Sequence, residues 1–226
     1  MIKSYIHYLM KRSRQQFENE KQVLSSEPKK IVLLGDGCIG KSTLFHKLNN
    51  LDDEYRFVKK YKATDNFDFN RIDIKTTKGS IVVDLWDTAG QENRGGMLRD
   101  AYLKGADGVL LLYDVTESST KDNINKWLEQ IKKISPNVPV AVLGNKSDKF
   151  KSLQQSETVK LRECNLQSAY GCKNVRNFLI SIKENTHIEF TNSFWSGTNI
   201  EEKDNCLVGL EYIISNLVSE DITIIQ

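Results

Sequence analysis

Apolar residues along this chain come in short continuous runs separated by longer amphipathic stretches. Lys30-Ile31-Val32-Leu33-Leu34 stops at a glycine, and similar runs recur at Ile81–Trp86, Val109–Tyr113 and Val138–Leu143. Each is long enough for a strand and too uniformly apolar for one with a wet face, so each reads as a strand buried on both sides. Residues 41–50 read as helical, and Asp122–Ile134 places Ile124, Trp127, Leu128 and Ile131 on one helical face. Buried strands alternating with helices predict an α/β fold, a mainly parallel sheet flanked by helices on both faces. In such sheets ligands bind at the carboxyl ends of the strands, which directs attention to the residues that follow each run.

Composition narrows the possibilities. The 226 residues suffice for one sizeable core with extensions. A net charge of +2 gives no field that would draw the chain onto nucleic acid. Cys38, Cys164, Cys172 and Cys206 show neither paired spacing nor companion histidines, so neither a structural zinc nor a disulfide framework is expected. With no spanning apolar stretch and no secretory leader, the expected location is cytoplasmic. Charge is nevertheless uneven: residues 1–14 carry Lys3, Lys11, Arg12 and Arg14 with no acid, and Ile2, Tyr5, Ile6 and Leu9 would share a helical face. That segment is compatible with weak contact at a membrane surface, or with packing on the domain.

Three strand ends carry chemistry. After the first run stands Gly35-Asp36-Gly37-Cys38-Ile39-Gly40-Lys41-Ser42, followed by Thr43, with the spacing of a phosphate-binding loop. Glycines let successive backbone N–H groups turn inward on phosphate oxygens, and the following helix aims its positive end at the same place. Lys41 would reach the β- and γ-phosphates and Ser42 would ligate Mg²⁺. After the run ending at Trp86, Asp87-Thr88-Ala89-Gly90-Gln91-Glu92 places a carboxylate at a strand end. Asp87 is suited to Mg²⁺, the Gly90 N–H to a terminal phosphate and Gln91 to an attacking water. The run over 140–144 ends in Asn145-Lys146-Ser147-Asp148. A carboxylate there accepts the paired donors of guanine, which adenine does not present, so Asp148 predicts GTP or GDP as the ligand.

Together with Tyr113-Asp114-Val115-Thr116, these motifs make the chain resemble a Ras-superfamily small GTPase from about Lys30 to Val218, with features of the Rab and Ran branches. The resemblance implies a P-loop small GTPase fold with a six-stranded, mainly parallel sheet. It implies slow GTP hydrolysis with Mg²⁺ and a switch controlling trafficking or transport, read by effectors and tuned by an exchange factor and an activating protein. Thr64, in Tyr61-Lys62-Ala63-Thr64-Asp65-Asn66, matches the switch threonine that would close over Mg²⁺, although Asn66 replaces the usual glycine. No arginine finger is evident in cis, Arg94 and Arg99 being the nearest arginines after Gln91, and Gly37 leaves the approach open to one supplied in trans. A scaffold that binds GTP and hydrolyses little is the alternative.

The family's S-A-K element has two candidates, Ser168-Ala169-Tyr170 and Ser193-Phe194-Trp195. The family order of helix, strand, loop and final helix favours the second, with Asn174–Lys183 as the helix and His187–Phe190 as the strand. On this reading residues 1–29 form a basic extension, 30–219 the GTPase domain with an insertion near 149–172, and 220–226 a tail. The chain ends Glu220-Asp221-Ile222-Thr223-Ile224-Ile225-Gln226, so no C-terminal prenylation is expected.

Overall fold

A computed structural model describes residues 22–51, 67–88, 96–152, 174–193 and 197–225. The strands are β1 (Lys29–Leu34), β2 (Phe67–Thr76), β3 (Gly79–Thr88), β4 (Gly108–Asp114), β5 (Val140–Asn145), β6 (Val175–Ser181), β7 (Thr186–Ser193) and β8 (Gly197–Asp204). The helices are α1 (Lys41–Leu48), α2 (Gly96–Leu103), α3 (Ser118–Asp122), α4 (Ile124–Ile134) and α5 (Val208–Val218). Among the described residues the strands form one sheet in the order β2-β3-β1-β4-β5-β6-β7-β8. The five strands from β3 to β6 in that order run parallel, while β2, β7 and β8 are antiparallel to their neighbours.

Alternation along the central strands builds two cores. Ile31 and Leu33 of β1 face α1 and α5, where Leu44, Phe45, Leu48, Leu210, Ile213 and Ile214 are buried. Val32 and Leu34 face the other way, onto Leu103 of α2 and onto Ile124, Trp127, Leu128 and Ile131 of α4. With both faces of β1 and β4 covered, no polar position is tolerated along Gly108–Asp114 until the strand end.

Two expectations are corrected. The sheet has eight strands rather than six, because the hairpin β7–β8 follows β6 and extends that edge. The expected strand His187–Phe190 falls within β7, whereas β8, with Glu201, Glu202 and Lys203, carries no apolar run by which to recognise it. Asn174–Lys183 is not a helix: Val175–Ser181 is β6, paired in parallel with β5 from Val140 to Gly144. Its run Phe178-Leu179-Ile180 fits a seven-residue strand ended by a turn better than a helix.

Both ends of the described chain return to the β2–β3 hairpin. The Leu24 N–H donates to the Ser80 carbonyl at 2.8 Å. At the other end the Thr77 N–H donates to Thr223 O and the Ile225 N–H to Lys75 O, each at 2.9 Å. Ile222 and Ile224 are buried in the core beneath α5, and the Glu211 carboxylate of that helix accepts the Ile224 N–H at 2.9 Å. The basic segment 1–14 and the part of the expected insertion over 153–172 lie outside the described residues.

Candidate functional site

The predicted phosphate loop runs from β1 into α1, and two of its glycines are fixed by geometry. Gly35 has φ +127°, and a Cβ there would lie 2.3 Å from the Leu112 carbonyl oxygen. Gly40 has φ +106°, and a Cβ there would lie 2.4 Å from Asn145 Nδ2. A side chain at either position would combine a disfavoured backbone conformation with a collision. Cys38 sits in the left-handed region at φ 62°, exposed, and Gly37 is exposed beside it. Ile39 is buried and anchors the loop to the core. Ser42 and Thr43 lie in the first turn of α1, where backbone N–H groups are left for an anion.

Lys41 is 6% exposed, and its ammonium donates to the carbonyls of Gly35 at 3.0 Å and Asp36 at 2.5 Å. Burial lowers its pKa to about 8, against the opposing pull of the Asp87 and Asp36 carboxylates. Asp87 is fully buried at the end of β3, in register with Leu33. Thr88 Oγ1 donates to the Leu33 carbonyl at 2.7 Å, holding the end of β3 against the start of the loop. Ser42 and Asp87 thus offer a hydroxyl and a carboxylate, the hard oxygen donors that suit Mg²⁺.

The end of β5 is tied to the same loop. Asn145 Nδ2 donates to Ile39 O at 2.9 Å, and Lys146, at φ 69°, donates through Nζ to Cys38 O at 3.1 Å and to the Asp114 carboxylate. Burial pulls the Asp114 pKa up, but hydrogen bonds from Lys146 and Thr116 outweigh it and hold the carboxyl below its ordinary value. Asp148 lies in the helical turn Ser147–Ser152, and its Oδ1 accepts the Ser181 hydroxyl at 2.8 Å.

That last contact brings in residues the sequence reading missed. The Ile182 N–H donates to Asn145 Oδ1 at 3.2 Å, and Lys183 Nζ stands 3.9 Å from Asp148 Oδ2. Ser181-Ile182-Lys183 therefore occupies the loop beside Asn145–Asp148, at the carboxyl end of β6. Its signal was legible: an apolar run followed by a triplet that keeps the serine and lysine of S-A-K.

Ser193 is corrected accordingly. Strand β7 leaves this end of the sheet at Thr186, opposite Ser181, and runs antiparallel to Ser193, which pairs with Gly197. Seven steps of extended chain put Ser193 about 23 Å from Thr186, at the opposite end of the sheet. Phe194, Trp195 and Ser168–Tyr170 lie outside the described residues, as do Thr64, Gly90 and Gln91.

A sequence model of the Ras family matches residues 30–194. The chain is 33% identical over 165 residues to the Ras-related protein Rab-7b of Paramecium octaurelia. It is also 33% identical over 165 residues to Ras-related protein Rab-7a of the same organism. Each match spans 71% of this chain and 75% of the relative.

Proposed function

This chain belongs to the Ras family of small GTPases, on its Rab-like branch, and is a GTP hydrolase; from that premise we propose a Mg²⁺-dependent switch in intracellular trafficking or transport, working at the loops gathered around Lys41. The observation that carries the reading is convergence. The loop of β1, the buried carboxylate ending β3, Asn145–Asp148 after β5 and Ser181–Lys183 after β6 meet at one end of the parallel strands, joined by Asn145 Nδ2 to Ile39 O and Lys146 Nζ to Cys38 O.

Each residue then has a task. The loop N–H groups and Lys41 take the phosphates, while Ser42 and Asp87 would hold Mg²⁺, which when bound supplies positive charge beside the β- and γ-phosphates. Asp148 accepts from the guanine edge, with its orientation set by Ser181, and the Lys146 stem lies between that edge and the phosphate loop. A backbone N–H of the Ser181–Lys183 turn would meet the guanine carbonyl, the Ile182 N–H being engaged by Asn145 Oδ1. Thr64 closes over the γ-phosphate and Gln91 orients the attacking water. Hydrolysis of this kind needs positioning and charge neutralisation rather than a covalent intermediate.

Partners would read the face beside these loops. Phe67 and Phe69 of β2 are 43% and 46% exposed. Phe67 stacks on Trp86 at 5.2 Å and lies 5.3 Å from the Tyr102 ring, and Phe69 meets Trp86 edge-on. An exposed aromatic cluster of this kind suits a protein effector. Among the described residues no helix is long and apolar enough to cross a membrane, and a cytoplasmic site of action fits this reading.

The purified protein is expected to retain GDP or GTP and to hydrolyse GTP slowly, and Gln91→Leu to abolish hydrolysis while sparing binding. Single-turnover assays with Mg²⁺ check both, and no hydrolysis even with cell extract would favour the scaffold alternative.

Acidity gives a second expected result. With phosphates present the protonated form of Lys41 is stabilised, so its pKa rises above the value of about 8 in the empty site. Binding above that pH therefore takes up a proton. Affinity for GDP should be flat with respect to this group below about pH 8 and fall toward tenfold per unit above it. Fluorescent-GDP titrations between pH 7 and 9 measure this, and constant affinity across that range would show that Lys41 is charged throughout.

A further inference from the structure

One acidic side chain stands where an anion is least welcome. Asp36 lies in the phosphate loop, and its own carbonyl is 2.5 Å from Lys41 Nζ. Its two carboxylate oxygens are taken up by donors of α4, while its charge still acts on the Lys41 ammonium. Oδ2 accepts from Asn123 Nδ2 at 2.9 Å, and Oδ1 accepts from Trp127 Nε1 at 3.0 Å. These donors sit four residues apart, at the N-cap and in the first turns of α4, so they lie on one face of the helix. The indole is buried in the core beneath the sheet and has little freedom to follow the carboxylate elsewhere. The helix start also favours negative charge. On its other side the loop is held through backbone carbonyls, Cys38 by Lys146 and Ile39 by Asn145.

Resting on the reading of this loop as the phosphate site, we propose that Asp36 is a positioning residue: Asn123 and Trp127 keep its carboxylate on α4, so that Lys41 remains available to phosphate and nucleotide is held tightly. A carboxylate released from α4 is free to approach the Lys41 ammonium, which its charge already influences. It then competes with phosphate for that cation and repels the phosphate itself. Helix α4, which need not touch the nucleotide, thereby sets how fast nucleotide leaves. A partner that shifts the start of α4 would accelerate release through this link.

The experiment measures dissociation of fluorescent GDP from full-length protein at fixed Mg²⁺, chased with unlabelled GDP. Asn123→Ala and Trp127→Phe each remove one donor and should each speed release about tenfold, the scale of one hydrogen bond to a charged group. Glu129→Gln, on the exposed face of the same helix, should leave the rate unchanged. Asp36→Asn placed in the Asn123→Ala background should bring release back to within about twofold of the unaltered protein, because a neutral amide does not compete for Lys41. Charge rescue is a readout that a packing defect would not give. Release unchanged in both single variants overturns the proposal, as does failure of Asp36→Asn to restore the rate. If the unaltered protein binds no guanine nucleotide, the phosphate-site reading falls first and this proposal with it. If Lys41→Ala weakens GDP binding while Asn123→Ala and Trp127→Phe do nothing, only the role of Asp36 is lost.

Discussion

Replacing Asp148 by asparagine should lower affinity for GTP and GDP by at least about a hundredfold and raise affinity for the xanthine nucleotides. Guanine presents a ring N–H and an exocyclic amine side by side, and only an acceptor pair meets both. An amide at position 148 keeps one acceptor and places a donor against the guanine amine. Xanthine carries a carbonyl oxygen at that position, which an amide donor satisfies. The Ser181 hydroxyl, now donating to Asp148 Oδ1 at 2.8 Å, can donate equally to an amide oxygen, so the side chain stays where it is. Competition titrations with GDP, xanthosine diphosphate and ADP distinguish a change of base preference from general loss of binding. Equal weakening toward all three would place Asp148 outside the base site.

The second large effect is at Lys41. Lys41→Met keeps much of the stem volume and removes the charge, and affinity for GDP should fall by about a hundredfold to a thousandfold. The charge-assisted contact to the β-phosphate of GDP is lost, and no other described cation lies as deep in the loop. Stability of the nucleotide-free protein should fall as well, by about 1–3 kcal/mol. The carbonyls of Gly35 and Asp36 lose their donor, and the buried Asp87 carboxylate loses a neighbouring cation. Calorimetric titration gives the first quantity and urea denaturation without nucleotide the second. A loss of affinity below about fivefold would mean that the phosphates bind elsewhere.

Asp36 links these results to the rest of the molecule. The cation proposed to bind phosphate and the anion near it belong to one loop, and the anion is held by a helix residue 87 positions further along the chain. Variants at Asn123 and Trp127 should therefore alter how long nucleotide stays, leaving base preference to Asp148.

How much of this was legible beforehand differs from element to element. Strands β1, β4 and β5 are short apolar runs because both their faces are covered, and a run that cannot be amphipathic announces itself. The loops that follow them carry glycine, lysine, serine and acid at spacings set by the shape of phosphate and guanine. Local chemistry of that kind survives in one dimension. Strand β2 did not announce itself: only Ile72, Ile74 and Thr76 are buried along it, while Phe67 and Phe69 point outward. The stretch Asn174–Lys183 was misread as a helix because its run is short enough to suit either state, and parallel pairing with β5 decides for the strand.

By itself, then, the sequence determined the fold class and the family, since the motifs that carry them depend on residue types within a few positions of one another. Only the tertiary structure decided which serine stands beside Asp148. That depends on the direction of β6 and β7: Ser181 ends a strand running parallel to β5, and Ser193 ends one running back. Only the structure, likewise, showed that the anion at Asp36 is held by Asn123 and Trp127. Contacts between residues so far apart in sequence arise from packing of the helices on the sheet, and no local pattern records them.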